Sequence, residues 1–424
     1  MRKTYFRKAK RSILLSFLIS SLLLDCKPAE KRGVYEQLVE DTEAITPQLI
    51  DLRNTFHKQP ELAGKEVRTA ARIAAYLQDL GLEVKTGIAG HGVIGILKGA
   101  YPGKNIGWRA DMDALPTAYK DSLQHNCGHD VHMAIALGMA QVLSEHRENL
   151  SGNLAFIFQP EEEIFVGAEQ LASSTAFAAL ELDEIYALHV TALPVGQLLV
   201  KPDKVFAYQK RIQLRFNSRL SRAEAQQLYA NLRVELQRTQ SGATPWIISQ
   251  AFDRIQGISN PDSDFANYRF LEEQVVIEET ADELSLKGYL YETDAAQAAN
   301  LIPQLKALIK ASDVKDDFID ASIIQENPTV HNDFRLVQDA QQILQALGDE
   351  TEVVTGYGQI PYFNDDFIYF QDKVPGVYFL LGGSNTEAGI SAINHAPQFA
   401  VDEACIPLGV ASFAGLLWER TSID

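Results

Sequence analysis

Along its first half the chain alternates short apolar runs with helical periodicity, and this alternation restricts the fold more than any other feature. Val93 to Leu97, Asn105 to Arg109, Leu154 to Gln159 and Ile185 to Val190 are strand-length, apolar-rich and flanked by Gly, Pro or Asp. A helix over His132 to His146 separates two of them, and Tyr35 to Gln59 and Val67 to Leu80 precede them with apolar residues at three- and four-residue spacing. Gly81-Leu82 stops the second helix. The pattern predicts an α/β fold with a largely parallel sheet. In open α/β sheets, ligands bind just past the strand ends. Asp111 and Asp113 follow Arg109, Glu162 and Glu163 follow Gln159, and His189 lies near the end of its strand.

At 424 residues the chain is too long for one ordinary core, so two domains, or one core interrupted by another, are expected. The interruption is read at 203–312. There Lys210 to Phe216, Gln274 to Glu278 and Glu283 to Tyr291 are expected as strands, Ser221 to Gln237 as a helix opened by a Ser cap with Glu224 three residues on, and Ala295 to Ser312 as a second helix. The α/β pattern then resumes with a helix at Asn332 to Leu347, a strand at Val374 to Leu381 and a terminal helix at Asp402 to Glu419. The expected organisation is a leader at 1–33, a catalytic domain in two parts at 34–202 and 313–424, and an α+β insert at 203–312.

The segment His125-Asn126-Cys127-Gly128-His129-Asp130-Val131-His132, followed by Pro160-Glu161-Glu162-Glu163 and an isolated His189, brings together thiolate, imidazole and carboxylate donors. These are the side-chain classes that bind zinc-like ions. Taken singly, each has a plainer reading: a hydrogen-bonded loop histidine, a buried thiol, a solvated acidic turn, or a helix-capping Asp113. Their grouping past strand ends favours a metal site. His132, at the start of its helix, is read as a supporting group rather than a ligand, and His57, His91, His146 and His331 as surface or capping residues.

Six basic residues, from Arg2 to Arg11, precede an apolar run from Ser12 to Leu24 that is too short to span a bilayer comfortably and fits the core of an export signal. Cys26 lies directly after it, as in bacterial lipoproteins, although Asp25 is a poor match for the small residue usual at that place. Lipidation at Cys26, plain secretion to the periplasm or beyond, and an uncleaved anchor all stay open. The membrane is expected to be reached only through such an anchor. The remaining cysteines, Cys127 and Cys405, do not suggest a disulfide framework. A formal charge of −18 and the lack of a basic stripe argue against nucleic-acid partners.

Six segments occur in an order that resembles a known family: Leu52 to Leu62 (LRNTFHKQPEL), Arg109 to Pro116 (RADMDALP), His125 to Asp130 (HNCGHD), Phe158 to Glu163 (FQPEEE), Leu188-His189-Val190 and Asn394 to Phe399 (NHAPQF). They are similar to the amidohydrolase branch of the aminoacylase and carboxypeptidase-type metallopeptidases, which includes hippurate hydrolases, auxin-conjugate hydrolases and N-acyl-amino-acid amidohydrolases. The resemblance implies a zinc-peptidase-like catalytic domain interrupted by a ferredoxin-like lid that often serves dimerisation. It implies that Cys127, His129, Glu163, His189 and His395 hold two divalent metals (Zn, Mn, Co or Ni), with Cys127 bridging. Glu162 then becomes the general base, Asp113 orients a ligand, and Asp365-Asp366-Phe367 supports the site or is a simple loop. The implied reaction is hydrolysis of an amide bond in an N-acyl amino acid or small peptide by metal-activated water.

The lid departs from the family pattern. A Gly-His pair usual after its first strand is replaced by Arg215-Phe216-Asn217-Ser218-Arg219, and an Arg usual in a late strand by Tyr291. An exported metal-binding protein without efficient turnover is therefore the alternative to an enzyme.

Overall fold

The computed structural model describes residues 28–117, 122–239, 248–348 and 351–422, and the expected leader and Cys26 lie outside them. The longer strands are β1 (Glu83–Ile88), β2 (Gly92–Lys98), β3 (Tyr101–Asp111), β4 (Ser151–Gln159), β5 (Glu184–Pro194) and β6 (Gln197–Val200). The lid strands β7 (Tyr208–Asn217), β8 (Arg269–Leu271), β9 (Val276–Glu279), β10 (Glu283–Glu292) and β11 (Phe318–Glu326) follow, and then β12 (Glu352–Thr355) and β13 (Gly376–Ser384). The longer helices are α1 (Pro28–Lys58), α2 (Val67–Asp79), α3 (His129–Glu145), α4 (Arg222–Leu236), α5 (Leu301–Lys310), α6 (Phe334–Leu347) and α7 (Cys405–Thr421).

The central sheet runs β1-β2-β4-β3-β5-β13-β6-β12. Its middle, β4-β3-β5-β13, is parallel, as is the edge pair β6 and β12, whereas β1-β2, β2-β4 and β13-β6 are antiparallel. The sheet is thus parallel in its middle and mixed towards its edges, and of the four early strands expected in a largely parallel sheet, β2 is antiparallel to both neighbours. Strands buried on both faces carry continuous apolar runs. In β4, Phe156 and Phe158 face one core and Ile157 the other. Helices α1, α3 and α7 cover the first face, and α3 is buried on nearly all sides. Each such aliphatic side chain contributes about 1.5–3 kcal/mol on burial.

The insert is a separate antiparallel sheet of order β8-β10-β7-β11, with β9 added on β10 and with α4 and α5 packed on one face. In chain order this is a βαββαβ unit with one extra strand. Ser221 caps α4 in a capping box with Glu224. The boundaries differ from 203–312. Asp203-Lys204 pairs with His331-Asn332 and Phe206 bridges Ile360 of the second catalytic part, so the insert starts at Tyr208. It ends at Glu326, because β11 pairs along the full length of β7. No strand was expected there: Asp320, Gln325 and Glu326 interrupt the apolar pattern, as an edge strand tolerates.

Candidate metal centre

The site forms where β3, β4 and β5 end. At the tip of β3, the Asp113 carbonyl oxygen accepts a hydrogen bond from His129 Nδ1 at 2.8 Å, and its carboxylate Oδ2 accepts the Glu163 backbone N–H at 3.0 Å. Gly128 makes the sharp entry to α3 at φ 99°, and an added Cβ would meet Val190 Cγ1 at 2.4 Å. Only glycine combines that backbone with that space. Past β4 the chain turns at Glu161, whose φ is +57°, while its N–H is held by the buried Glu66 carboxylate at 2.9 Å. Asn394 ties the last ligand segment in: its Nδ2 donates to the carbonyls of Cys127 (2.9 Å) and Val190 (3.0 Å), and the His395 N–H donates to Asn126 O at 2.7 Å.

Two donor groups share one sulfur. Cys127, His129 and His189 bring their donor atoms within 4.8 Å of one another, and so do Cys127, Glu163 and His395. His189 donates through Nδ1 to Val190 O, which leaves Nε2 free 3.3 Å from Cys127 Sγ. His395 Nε2 lies 3.2 Å from the same sulfur and 3.6 Å from Glu163 Oε2. His129 Nε2 stands 3.7 Å from both Glu162 Oε2 and Glu163 Oε1. Cys127, His129 and Glu162 are buried, Glu163 and His189 are partly buried, and the His395 side chain is about half-exposed.

The donor set fits divalent ions on three counts. Its members are the thiol, imidazole and carboxylate groups that such ions prefer, and His129 and His189 each offer the nitrogen not held by a backbone carbonyl. His129 Nε2, Glu163 Oε1 and Asp113 Oδ1 are buried without a hydrogen-bond partner. The local charge also calls for a cation. Burial opposes protonation of His129, yet Asp111, Asp113 and Glu163 outweigh it and raise its pKa to about 10. Burial, with Glu163 and Glu162 adding to it, holds the Cys127 thiol well above its ordinary range, so a thiolate there needs a metal beside it. Burial, reinforced by Asp365 and Glu163, also raises Glu162.

Beneath the donors lies a buried ion cluster. Arg109 donates to Gln159 Oε1 (2.7 Å), Asp111 Oδ2 (2.7 Å), Asp365 Oδ2 (3.1 Å) and Asp366 Oδ1 (3.1 Å), and Tyr378 donates to Asp365 at 2.7 Å. Asp365 and Asp366 come within metal-group distance of Glu162, so this segment supports the site and is not a simple loop. His132 donates through Nδ1 to Asp111 at 2.6 Å and accepts the Val190 N–H at Nε2 at 2.9 Å. Both its nitrogens are occupied, which excludes it as a ligand in this arrangement. His57, read as a surface or capping residue, is partly exposed and pairs with the buried Asp130 at 2.8 Å. Sequence reasoning did not find Arg109, Gln159 or Glu66. A buried Arg at a strand end beside acidic residues was the available signal for the first, while nothing local marked Glu66.

A cavity of about 180 Å³ opens beside the donors, lined also by lid residue Gln209 and by Asn327 just past β11. Arg215 and Arg219 do not line it; they pair with Glu283 and Asp317. Both described cysteines are free.

Residues 107–419 match peptidase family M20/M25/M40, and the chain belongs to it. It is accordingly a metal-dependent amidohydrolase or peptidase, an enzyme acting on amide bonds. Among similar proteins, N-acetyldiaminopimelate deacetylase of Brevibacillus brevis is 30% identical over 348 residues, covering 78% of this chain and 88% of its own. Thermostable carboxypeptidase 1 of Saccharolobus solfataricus is 26% identical over 402 residues, 89% of this chain and 97% of its own. A Bacillus subtilis structure named a dinuclear metal-binding peptidase from M20 family superposes with a TM-score of 0.68 at 24% identity, covering 89% of this chain and 99% of that one.

Proposed function

We propose that this enzyme hydrolyses the amide bond of N-acyl amino acids or small peptides at a centre of two divalent ions. His129 and His189 would hold one ion, Glu163 and His395 the other, and Cys127 both. The observation that supports this reading is the pair of donor groups meeting at one buried sulfur. When bound, such ions polarise a carbonyl and make water a better nucleophile.

The remaining work falls to the chain. Glu162, buried beside the donors, takes the proton from the attacking water as its oxygen bonds to the carbonyl carbon. It then delivers that proton to the amide nitrogen as the C–N bond breaks. Asp113 holds His129 through its carbonyl and Glu163 through its carboxylate, so one residue aligns both donor groups. The test is elemental analysis of the purified protein together with turnover of a panel of N-acyl amino acids and dipeptides with added Mn²⁺, Zn²⁺ or Co²⁺. Two equivalents of metal and metal-dependent turnover support the reading; a protein that binds metal and hydrolyses none of the panel overturns it.

We infer further that the protein is exported, with Cys26 as its acylated N-terminus, and that two copies pair through the lid. The basic-then-apolar leader supports the first inference. The free edge of β11, with exposed Ile319 and Ile324, supports the second. Mass spectrometry of the mature N-terminus and sedimentation of the native protein test them in turn.

A further inference from the structure

The turn that follows β4 carries both Glu162 and Glu163, and its backbone is gripped by two carboxylates from elsewhere in the chain. Asp113, past β3, accepts the Glu163 N–H at 3.0 Å, and Glu66, just before α2, accepts the Glu161 N–H at 2.9 Å across 95 residues. The Glu161 carbonyl accepts from the N–H groups of Val166 (3.3 Å) and Gly167 (3.2 Å), and the Glu162 carbonyl from that of Phe165 (2.8 Å). Glu162 thus stands between two pinned residues, with its Oε2 3.7 Å from His129 Nε2.

Glu161 is held under strain. Its φ of +57° lies in the left-handed region, which a residue with a Cβ disfavours. Such a conformation persists only where its surroundings impose it. One side of the grip is Gly64, where an added Cβ would meet Glu161 Oε1 at 2.6 Å. The other is Glu66. The segment that carries Glu66 is tied to the tip of β3, since the Ala114 N–H donates to Glu61 O at 2.8 Å. Glu61 itself serves the start of α2, accepting from Thr69 N (2.8 Å), Thr69 Oγ1 (2.9 Å) and Arg68 Nε (3.0 Å). Glu66 instead is fully buried, makes its contact with the Glu161 N–H through Oε1, and leaves Oε2 without a partner. A shielded carboxylate with one bare oxygen costs stability, so its place here is not explained by stability. What it supplies is a charge-assisted bond, roughly twice as strong as a neutral one, on a strained backbone group.

We propose that Glu66 is a positioning residue for the reaction: by holding the Glu161 N–H it keeps Glu161 in the left-handed conformation and so aims Glu162 at the donor cluster. Without that acceptor Glu161 relaxes to negative φ, the chain between the two anchors turns, and Glu162 leaves its place. Glu163 stays on Asp113, and the donor groups keep their ions. The proposal rests on Glu162 being the proton carrier.

The test is a double-variant cycle in the metal-loaded protein, using the panel substrate that the unaltered chain cleaves fastest. Glu66→Met removes the acceptor and fills its space. It should lower kcat about 5- to 30-fold, the penalty of the left-handed conformation for a residue with a Cβ, while KM stays within about two-fold and elemental analysis finds the metal content unchanged. In the Glu161→Gly chain the same substitution should cost less than about three-fold, because glycine takes positive φ without that penalty. Equal losses in the two chains, an unchanged kcat in Glu66→Met, or loss of metal from Glu66→Met overturns the proposal. If Glu66→Met does not fold, the strain is raised from the other side: Glu161→Ile, β-branched and least tolerant of positive φ, should have a kcat at least about 5-fold below that of Glu161→Gly, and equal values overturn the proposal. Failure of the activity reading would appear separately, as absent hydrolysis by the unaltered chain.

Discussion

At the start of β5, Glu184 accepts hydrogen bonds from Arg420 (2.9 Å), Tyr186 (2.7 Å) and Lys104 (3.2 Å), and Arg420 reaches on to Asp339 at 2.8 Å. Five residues further along the same strand, His189 faces a thiol, and the acids and imidazoles around it leave His129 Nε2, Glu163 Oε1 and Asp113 Oδ1 without partners. Both ends bury acids and bases. One is closed on itself, and its charges serve stability; the other is left open, and a ligand must complete it. The contrast follows the rule that α/β sheets bind their ligands past the carboxyl ends of their strands. It also shows why burial of charge alone does not mark a site: satisfaction has to be read atom by atom.

The largest expected effect is at the open end. Cys127→Ala should lose at least one equivalent of metal and nearly all activity, since no neighbouring side chain can replace a bridging thiolate. Elemental analysis of the variant checks this, and unchanged stoichiometry would remove Cys127 from the centre. Next, Glu162→Gln should keep its metal while hydrolysis falls by roughly 10²-fold or more, whereas Glu163→Gln should lose metal. The reverse outcome would exchange the roles of the two glutamates.

Arg109 lies between the two regimes, at the open end but fully paired. Arg109→Met leaves buried carboxylates uncompensated and should destabilise the fold by about 3–5 kcal/mol, read from denaturant midpoints. An unshifted midpoint would mean that those acids take up protons at little cost and that the cluster is not structural.

The smallest effect belongs to the closed end. Burial alone would raise Glu184, but hydrogen bonds from Arg420 and Tyr186 outweigh it and hold its pKa below 4.5. A group depressed on folding contributes stability above its unfolded pKa and loses it as pH falls through the folded value. Glu184→Gln should therefore flatten the loss of thermal stability below about pH 4.5 and leave hydrolysis at neutral pH unchanged. A large loss of activity in Glu184→Gln would erase the distinction between the two ends.

Much of this was legible from the residues. The runs from Val93 to Val190 predict four neighbouring strands of the sheet because apolar burial is a local property of a strand, and Ser221 with Glu224 marks the start of α4 because a capping box is closed within one turn. The edge strands β1, β8, β11 and β12 were not read. They are short or polar on their open side, and their pairing depends on a partner distant in sequence. The same holds for the lid boundary, which β11 moves to Glu326 by pairing with β7.

By itself the sequence determined the donor chemistry, the order in which candidate ligands leave their strands, and a lid lacking the usual His and Arg, since residue type and spacing are carried by the chain alone. The tertiary structure decided which atoms meet. It sets His395 against Cys127 across 268 residues, turns Glu162 towards Asp365 and Glu163 towards His395, and occupies both nitrogens of His132. It also brings Glu66 to the Glu161 N–H across 95 residues. These outcomes depend on which surfaces pack together, and hydrogen-bond satisfaction at a buried atom is decided only once every neighbour is in place.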